Sequence, residues 1–349
     1  MPEKNITIYD ISQEAGVSPA TVSRVLTGNA RVNNEKKRRI LSIIEKYNYH
    51  PNALARGLIN KASKTIGFIV PDITNPFFAN VFLEAEKCAI RHGYTMILCN
   101  SMNDNRMNQT GMESLYLKML CEKQVDGIII MGGRANEKKS NKEQAKELCE
   151  ITEKKPVVFI NGKMRGVKSY HVMADEQRGI ADLVKYLTGL GHSRIGFIGG
   201  RRGITSSDEK LKIFERLAKE MKLDFRNEWV IPGGFSIDDG YQSMQQLLTS
   251  ETLPTAVMAV NDLTAIGAIN AAKDNGLCVP EDLSVTGFDG IYLTDMIRPR
   301  ITTVSQNYTE LGAGAIEIIL SLMENKSPKR LITVPTQLVI KDSCMVCKY

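Results

Sequence analysis

The spacing of apolar residues changes near residue 64 of the chain. Before that point, apolar positions recur at helical spacing, as in Ile8, Ile11 and Ala15, which share one face of a helix. Beyond it, short apolar runs such as Thr65–Val70 alternate with amphipathic segments such as Arg178–Leu190. The pattern therefore predicts a small all-α domain followed by a larger α/β domain built from doubly wound parallel sheets.

The α/β part has a regular succession of strand and helix patterns. The strand candidates are Thr65–Val70, Thr95–Cys99, Gly127–Met131, Val157–Ile160, Arg194–Ile198, Ala256–Val260, Leu283–Thr286 and Ile301–Ser305. The helix candidates include Asn80–His92, Gly111–Glu122, Arg178–Leu190, Glu209–Met221, Gly240–Leu248 and Leu263–Gly276. A break near Gly162–Met173 predicts that residues 64–349 form two lobes. We expect about 64–161 with 293–325 in the first lobe, about 162–292 with 326–349 in the second, and a ligand cleft between them.

Residues 1–50 are predicted to form three short helices. Thr7 with Asp10 three residues later is a variant of the capping box, which begins a helix. Gly16-Val17 then supplies a tight turn, and Ser18-Pro19 begins a second helix with a hydroxyl cap and an early proline. Two helices joined through a glycine and supported by a third form a helix-turn-helix, whose second helix enters the major groove of DNA.

Positive charge is concentrated in this part of the chain. Residues 1–64 contain eleven Lys and Arg against five Asp and Glu, an excess of six that equals the net charge of the whole chain, +6. Such a concentration is typical of a surface that binds a polyanion, although a solvated helical face would have the same composition.

The overall composition is that of a globular protein, with 43% hydrophobic and 24% charged residues. No apolar run approaches the length of a membrane span, and the segment MPEKNITIYD lacks the apolar core of a signal peptide. We therefore expect no membrane contact and a cytoplasmic location. The cysteines are odd in number and lie mostly in apolar runs, so we expect reduced thiols.

The exposed side of the second helix has the chemistry of base and phosphate contacts. Ala20 is short enough to let the helix approach base edges, and Arg24 can donate to guanine. Thr7, Thr21 and Ser23 can donate to phosphates. A plain three-helix bundle without DNA-binding function is the alternative interpretation.

Two segments resemble a known family. TIYDISQEAGVSPATVSRVLTG and YNYHPNALARGL are similar to the lac repressor family of bacterial transcription regulators. The resemblance implies a hinge in residues 51–63 that becomes helical only on DNA. It also implies that Leu58 inserts into the minor groove there; the alternative for Leu58 is ordinary packing between the domains. Helices shorter than about 12–15 residues are marginal in isolation, which agrees with this behaviour. The predicted DNA-binding residues are Thr7, Ser18, Pro19, Ala20, Thr21, Ser23, Arg24, Asn29, Arg56 and Leu58.

The resemblance continues to about Asp342 and implies an effector domain like that of periplasmic sugar-binding proteins. By motif position, the residues of its pocket are Pro76, Phe77, Asn161, Ser206, Lys210, Phe235, Asn261 and Asp289. A sugar needs an apolar wall for its CH face and amide or carboxylate groups for its hydroxyls, and this set offers both. The phenylalanines could instead be core residues, and Asn161 and Asp289 could cap turns. Lys210 stands where the family usually has Arg, so a bidentate clamp on the ligand is lost at this position.

No motif for catalysis or metal binding accompanies this set. The chain lacks GxxxxGK[ST], HExxH and GxSxG, and its four histidines are scattered. Cys344 and Cys347 form a single CxxC pair, whereas a zinc finger would need a second pair. We therefore expect no enzymatic activity, no catalytic residues, no cofactor and no metal.

The sequence thus predicts a homodimeric transcription regulator, with a repressor as the favoured form, that reads a palindromic operator and responds to a sugar or sugar derivative. Within the same class, the effector could be a purine or a phosphorylated protein, since Arg201, Arg202 and Lys210 would suit an acidic ligand. A solute-binding protein and an enzyme on the same lobes are the alternatives from other classes.

Overall fold

The computed structural model describes residues 6–27, 32–49, 63–101, 109–139 and 141–348. The chain forms two compact units, Met1–Ser63 and Lys64–Tyr349. Three of the predicted DNA-binding residues, Asn29, Arg56 and Leu58, lie outside the described residues, as do residues 51–62 of the predicted hinge.

The first unit contains the three predicted helices, α1 (Ile8–Ala15), α2 (Pro19–Thr27) and α3 (Asn34–Lys46). Helix α1 ends at Gly16, whose φ of 64° is the left-handed conformation that glycine adopts without a steric penalty. The apolar faces of the helices meet in one small core, which consists of Ile11, Ala15, Val22, Val25, Ile40 and Ile43. Side chains outside these faces are left to solvent.

The larger unit alternates strands and helices along most of its length. Its strands are β1 (Thr65–Val70), β2 (Thr95–Asn100), β3 (Gly127–Met131), β4 (Val157–Ile160), β5 (Tyr170–Ala174), β6 (Ile195–Ile198), β7 (Val230–Ile231), β8 (Ala256–Ala259), β9 (Ser284–Thr286), β10 (Thr303–Ser305), β11 (Leu331–Val334) and β12 (Gln337–Val339). Its helices are α4 (Pro76–Arg91), α5 (Gln109–Glu122), α6 (Lys142–Thr152), α7 (Glu176–Gly189), α8 (Thr205–Glu220), α9 (Ile237–Leu247), α10 (Asp262–Asp274), α11 (Leu293–Met296) and α12 (Tyr308–Met323).

The first lobe is a parallel sheet with the strand order β11-β5-β4-β3-β1-β2. Phe68 at the centre of β1 is paired with Leu98 of β2 and Ile129 of β3. Residues of α4 and α12 bury one face of the sheet, and residues of α5 and α6 bury the other. This double coverage is why the central strands are apolar on both sides.

The second lobe has a smaller parallel sheet, β7-β6-β8-β9, with α7 and α8 on one face and α9 and α10 on the other. Strands β10 and β12 form a separate antiparallel pair. The unit therefore consists of two doubly wound lobes, in agreement with the predicted fold class.

The predicted limits of the lobes are wrong in two places. Strand β5 pairs with β4, and β11 pairs with β5, so residues 170–174 and 331–334 belong to the sheet of the first lobe. Neither strand was predicted, because β5 mixes Tyr, His and Met with apolar residues and β11 is a partly exposed edge strand. The chain consequently passes between the lobes three times, after Ala174, before Tyr308 and after Val334.

Two further elements differ from prediction. Helix α4 begins at Pro76, four residues before the predicted start, because the Asn75 side chain accepts a hydrogen bond from the Phe77 amide (3.0 Å) and proline suits the first helical position. The predicted strand Ile301–Ser305 is confined to Thr303–Ser305 and is antiparallel. In the part of the chain that the structure describes, no helix is long and apolar enough to cross a membrane.

Candidate DNA-binding surface and effector cleft

The ends of α1 and α2 are fixed by local hydrogen bonds that the sequence specifies. The Asp10 carboxylate accepts from the Thr7 backbone amide at 2.8 Å and the Thr7 hydroxyl oxygen accepts from the Asp10 backbone amide at 3.4 Å, and these two bonds form the predicted capping box. At the start of α2, the hydroxyls of Ser18 and Thr21 lie 2.9 Å apart in a shared hydrogen bond. These bonds set where each helix begins and therefore which side chains α2 exposes.

Helix α2 buries Val22 and Val25 and turns its other side outward. The predicted contact residues that the structure describes lie on α2 or at the starts of α1 and α2, and all are exposed or half-buried. Thr7, Ser18, Ala20 and Arg24 are exposed, and Pro19, Thr21 and Ser23 are half-buried. Apart from Arg24, these side chains are short, so the helix backbone can come close to a flat or grooved partner.

Helix α3 supports this surface and carries positive charge. Its residues Lys36, Lys37, Arg38 and Arg39 are exposed. Arg39 donates to the backbone carbonyl of Glu14 at 3.2 Å, and Lys46 forms an ion pair with the Glu14 carboxylate at 2.8 Å, so two basic residues hold α3 against α1. The remaining basic residues of the run are available for long-range attraction of a polyanion.

In the larger unit, most of the predicted pocket residues follow the carboxyl ends of parallel strands. Pro76 comes after β1, Asn161 after β4, Asn261 after β8 and Asp289 after β9. Ser206 and Lys210 lie in the first turns of α8, which follows β6. This end of a doubly wound sheet is where ligands bind in open α/β folds.

A chain of hydrogen bonds joins Asn161 of the first lobe to Asp289 of the second. The Asn161 side-chain amide donates to the Gln306 carbonyl oxygen at 2.7 Å, and the Gln306 amide donates to the Asp289 carboxylate at 2.6 Å. The Asn161 carbonyl oxygen also accepts from the Ala174 amide at 2.7 Å. Gln306 was not predicted as a site residue, and only its place between the lobes reveals its role.

Lys210 is buried among acidic and aromatic groups. Its Nζ lies 3.2 Å from the Glu176 carboxylate, 3.4 Å from the Val260 carbonyl and 3.8 Å from the centre of the Phe288 ring. The favourable field of Lys210 acts on Asp289 as well. A buried lysine needs such partners, because an unpaired ammonium in a protein interior is strongly disfavoured.

Two buried carboxyl groups lie at the back of this site. Burial raises the pKa of Asp289 to about 7, opposed by the charge of Lys210 and the hydrogen bond from Gln306. Burial and the neighbouring Asp289 together raise the pKa of Asp262 well above its usual value, against the hydrogen bonds from Thr303 and the Ile291 amide. Asp262 was missed by sequence reasoning, since its position after Asn261 resembles an ordinary first-turn acid.

Asn261 serves the fold as well as the cleft. Its side-chain oxygen accepts from the Thr264 amide at 2.9 Å, and its amide donates to the Phe235 carbonyl at 3.0 Å. It therefore caps α10 and ties it to the loop before α9. Phe235 is half-buried at the edge of the second lobe's core.

Phe77 lies in the core of the first lobe, 5% exposed, with its ring centre 5.6 Å from that of Phe78. Pro76 and Ser206 are half-buried. The structure thus joins Asn161, Lys210 and Asp289 through shared partners, and it gives Asn261 and Phe77 clear structural roles.

A helix-turn-helix unit and a two-lobed α/β unit, with polar side chains that bond from one lobe to the other, define a class of protein, the DNA-binding regulators. Among the described residues, no group of His, Cys, Asp or Glu could hold a metal ion.

Comparison with known proteins agrees with this class. The family "Bacterial regulatory proteins, lacI family" matches residues 7–52, and a periplasmic binding protein-like domain matches residues 184–344. The catabolite control protein A of Priestia megaterium is 34% identical over 343 residues, covering 97% of this chain and 99% of the relative. The HTH-type transcriptional repressor PurR of Pasteurella multocida is 34% identical over 338 residues, covering 97% and 98%.

Two solved structures have the same fold. The lac repressor dimer bound to operator and the anti-inducer ONPF superposes with a TM-score of 0.87 at 23% identity and covers 98% of this chain and 100% of its own. A LacI family regulator from Enterococcus faecium with bound ribose has a TM-score of 0.70 at 27% identity, covering 81% and 100%. The chain therefore belongs to the lacI family of bacterial regulatory proteins, and it is a DNA-binding transcription regulator. Its relatives are regulators, which agrees with the expectation that it is not an enzyme.

Proposed function

We propose that the protein is a homodimeric repressor that binds a palindromic operator through α2 and responds to a neutral sugar or sugar derivative bound between the lobes. The observation that carries the effector part is the bond chain from Asn161 through Gln306 to Asp289, which crosses from one lobe to the other. A ligand with adjacent hydroxyl groups can take the place of Gln306 as the hydrogen-bond partner of Asn161 and Asp289, and it then contacts both lobes at once.

The charge balance of the cleft favours a neutral ligand. Lys210 is the basic residue best placed for an anionic group, but its Nζ is already paired with Glu176 at 3.2 Å and faces Asp289. A phosphate at this point would meet two acidic side chains beside one lysine. A polyhydroxy ligand instead offers donors to the carboxylates and acceptors to the amides.

Three relatives support the three parts of the proposal, namely the sugar effector, repression and the dimer. The Enterococcus faecium regulator binds ribose in its crystal structure, the P. multocida relative is a repressor by name, and the lac repressor neighbour is a dimer on its operator. Two copies of a helix-turn-helix related by a twofold axis read half-sites of a palindrome.

The test begins with the effector. Thermal unfolding of the full chain is measured with ribose, glucose, glucose 6-phosphate and hypoxanthine, because a ligand that binds the folded state raises the melting temperature. An operator is selected from random duplex DNA, and its mobility shift is then measured with each compound that stabilises the protein. We expect a neutral sugar to raise the melting temperature and to change operator affinity.

A matched pair of variants assigns the effect to the cleft. Asp289→Asn removes the carboxylate at the end of the bond chain, and Glu215→Gln removes an exposed carboxylate from α8. We expect the first to abolish the response to the sugar and the second to preserve it. Stabilisation by hypoxanthine or by glucose 6-phosphate alone contradicts the sugar proposal, and an operator without twofold symmetry contradicts the dimeric reading of DNA.

A further inference from the structure

A fully buried arginine lies in the first lobe, away from the bond chain of the cleft. Arg134 follows β3, and its side chain is 0% exposed. Its Nε donates to the Glu113 carboxylate of α5 at 2.7 Å, its NH1 to the Glu147 carboxylate of α6 at 2.6 Å, and its NH2 to the Ser114 hydroxyl at 2.8 Å. The guanidinium therefore ties two helices to the segment that carries it, with the geometry of a multidentate clamp.

The backbone beside Arg134 is shaped to allow this clamp. Gly133 has a φ of 56°, and a Cβ at that position would lie 1.7 Å from an oxygen of Glu113. The same carboxylate accepts from the Arg134 amide at 3.1 Å. On the other side, the Ala135 carbonyl accepts from the Lys163 amide at 2.9 Å. Residues 133–138, here called the strap, are thus held at a fixed place on the first lobe.

The far end of the strap reaches the second lobe. Glu137 pairs with Ile204 as an antiparallel bridge, and the Lys138 amide donates to the Gly203 carbonyl at 2.9 Å. The Lys138 ammonium lies 3.3 Å from the Asp208 carboxylate, which also accepts from the Gly203 amide at 3.4 Å. These contacts meet the start of α8, the helix that carries Ser206 and Lys210.

We propose that Arg134 is a positioning residue that holds the strap against the start of α8, so that the two lobes are fastened at the cleft as well as at their three chain crossings. The strap is short and is anchored by buried ionic bonds at one end, whereas its contacts with the second lobe are one antiparallel bridge and the ion pair of the exposed Lys138 with Asp208. When the two lobes separate at the strap, the contacts between the strap and the second lobe break, and the bonds of Arg134 within the first lobe stay intact. The apparent affinity of any ligand in the cleft then depends on how often the strap is released.

The inference concerns the chain without ligand or DNA, so its test does not depend on the proposed function. Cysteines are introduced by Glu137→Cys and Ile204→Cys, since partners in an antiparallel bridge have Cα atoms about 4.5–5.5 Å apart, within the range that a disulfide spans. The rate at which the 137–204 disulfide forms under mild oxidation is measured in the full chain, and the linked peptide is identified by mass spectrometry. We expect efficient linking in this parent.

Arg134→Gln is then added to the cysteine pair. We expect the linking rate to fall by at least about threefold, in line with typical effects on coupling between sites. Arg216→Ala is the matched control, because Arg216 pairs with Glu220 within α8 and both are exposed; the rate should not change. Melting temperatures of all variants are recorded, since a purely structural role of Arg134 lowers the melting temperature without changing the rate in the folded protein.

If Arg134→Gln does not fold, Glu147→Gln decides the question. Glu147 is 30% exposed, so this change loosens the clamp without leaving a fully buried charge unpaired. Slower linking in the folded Glu147→Gln protein supports the proposal. An unchanged rate in whichever of these variants folds overturns it, as does a parent cysteine pair that does not link.

Discussion

The helix-turn-helix and the candidate effector cleft place their predicted functional side chains in opposite environments. On α2, the predicted DNA contacts are exposed or half-buried, and the apolar face of the same helix supplies the core. In the cleft, Asn161, Asn261 and Lys210 already make hydrogen bonds or ion pairs that hold helices and lobes together. On the proposed function, the residues that act on DNA are separate from those that stabilise the first unit, whereas in the second unit the same residues would do both. Each prediction below tests that contrast.

Removal of the first unit gives the largest expected effect. A fragment of residues 65–349 should lose DNA binding altogether, because the excess of positive charge lies in residues 1–64. In the full chain, the logarithm of the binding constant should fall with the logarithm of salt concentration by about 0.9 for each phosphate neutralised. Both are measured by fluorescence anisotropy on random duplex DNA. Binding by the fragment would place a polyanion site in the effector unit.

Asn261→Ala should be the most destabilising change in the cleft. It removes the cap of α10 and leaves the Phe235 carbonyl without its donor, at a combined cost of about 2–4 kcal/mol. Asn275→Ala, at the exposed other end of the same helix, is the control and should cost less than about 1 kcal/mol. The free energy of unfolding is measured in urea. Equal losses of unfolding free energy in the two variants would mean that the Asn261 cap does not stabilise the protein more than Asn275 does.

Asp289 should make the stability of the effector unit depend on pH. Burial raises its pKa to about 7, so between about pH 4 and 7 the folded chain keeps a proton that the unfolded chain releases. This contribution is complete below the unfolded pKa and is lost as pH rises through about 7. From pH 5 to 7 the loss should reach at most about 2–3 kcal/mol.

Asp289→Asn should flatten this dependence. Lys210, Glu176 and Asp262 also face or influence this carboxyl group, and they remain in the variant. Urea unfolding at pH 5, 6 and 7 compares the two proteins. Parallel profiles would show that another group is responsible for the titration.

Arg24→Ala tests whether the first unit can lose a predicted DNA contact without losing stability. We expect a loss of about 1–3 kcal/mol in the preference for operator over random DNA, with the free energy of unfolding changed by less than about 0.5 kcal/mol, since the residue is exposed. Lys37→Ala on α3 should weaken binding to both kinds of DNA equally. A large loss of stability in Arg24→Ala would contradict the separation of fold and function in this unit.

The helices and strands that could be predicted from the sequence are those specified by residues close together in the chain. The caps at Thr7, Asn33 and Ser18 depend on residues two or three positions away, so the three helices could be predicted within a residue or two. The central strands were found because burial on both faces makes them apolar runs. Strand β11 was missed, since its partner β5 lies 160 residues earlier in the chain, and β5 was missed because its Tyr, His and Met residues interrupt the apolar run.

The same distinction applies to the site. Family resemblance pointed to Asn161, Lys210 and Asp289 as candidates, but it gave no reason to look at Gln306, Glu176 or Asp262, which the structure shows bonded or electrostatically coupled to these residues. Arg134 carried no signal at all, because a single arginine after a strand normally points to solvent. Motif spacing in the sequence thus points to side chains predicted to contact DNA or a ligand, whereas the tertiary structure is needed to find the side chains that bond to other parts of the protein.

The three crossings between the lobes have a consequence for synthesis of the protein. The three helices of the first unit are complete once Lys46 has left the ribosome, and N-terminal domains generally fold first during translation. The first sheet still lacks β11 and the antiparallel pair of the second lobe still lacks β12 until residues 331–339 have emerged. A message cut short between β9 and β11 therefore yields a helix-turn-helix attached to two unfinished lobes, a product that retains the three N-terminal helices but lacks a complete effector unit.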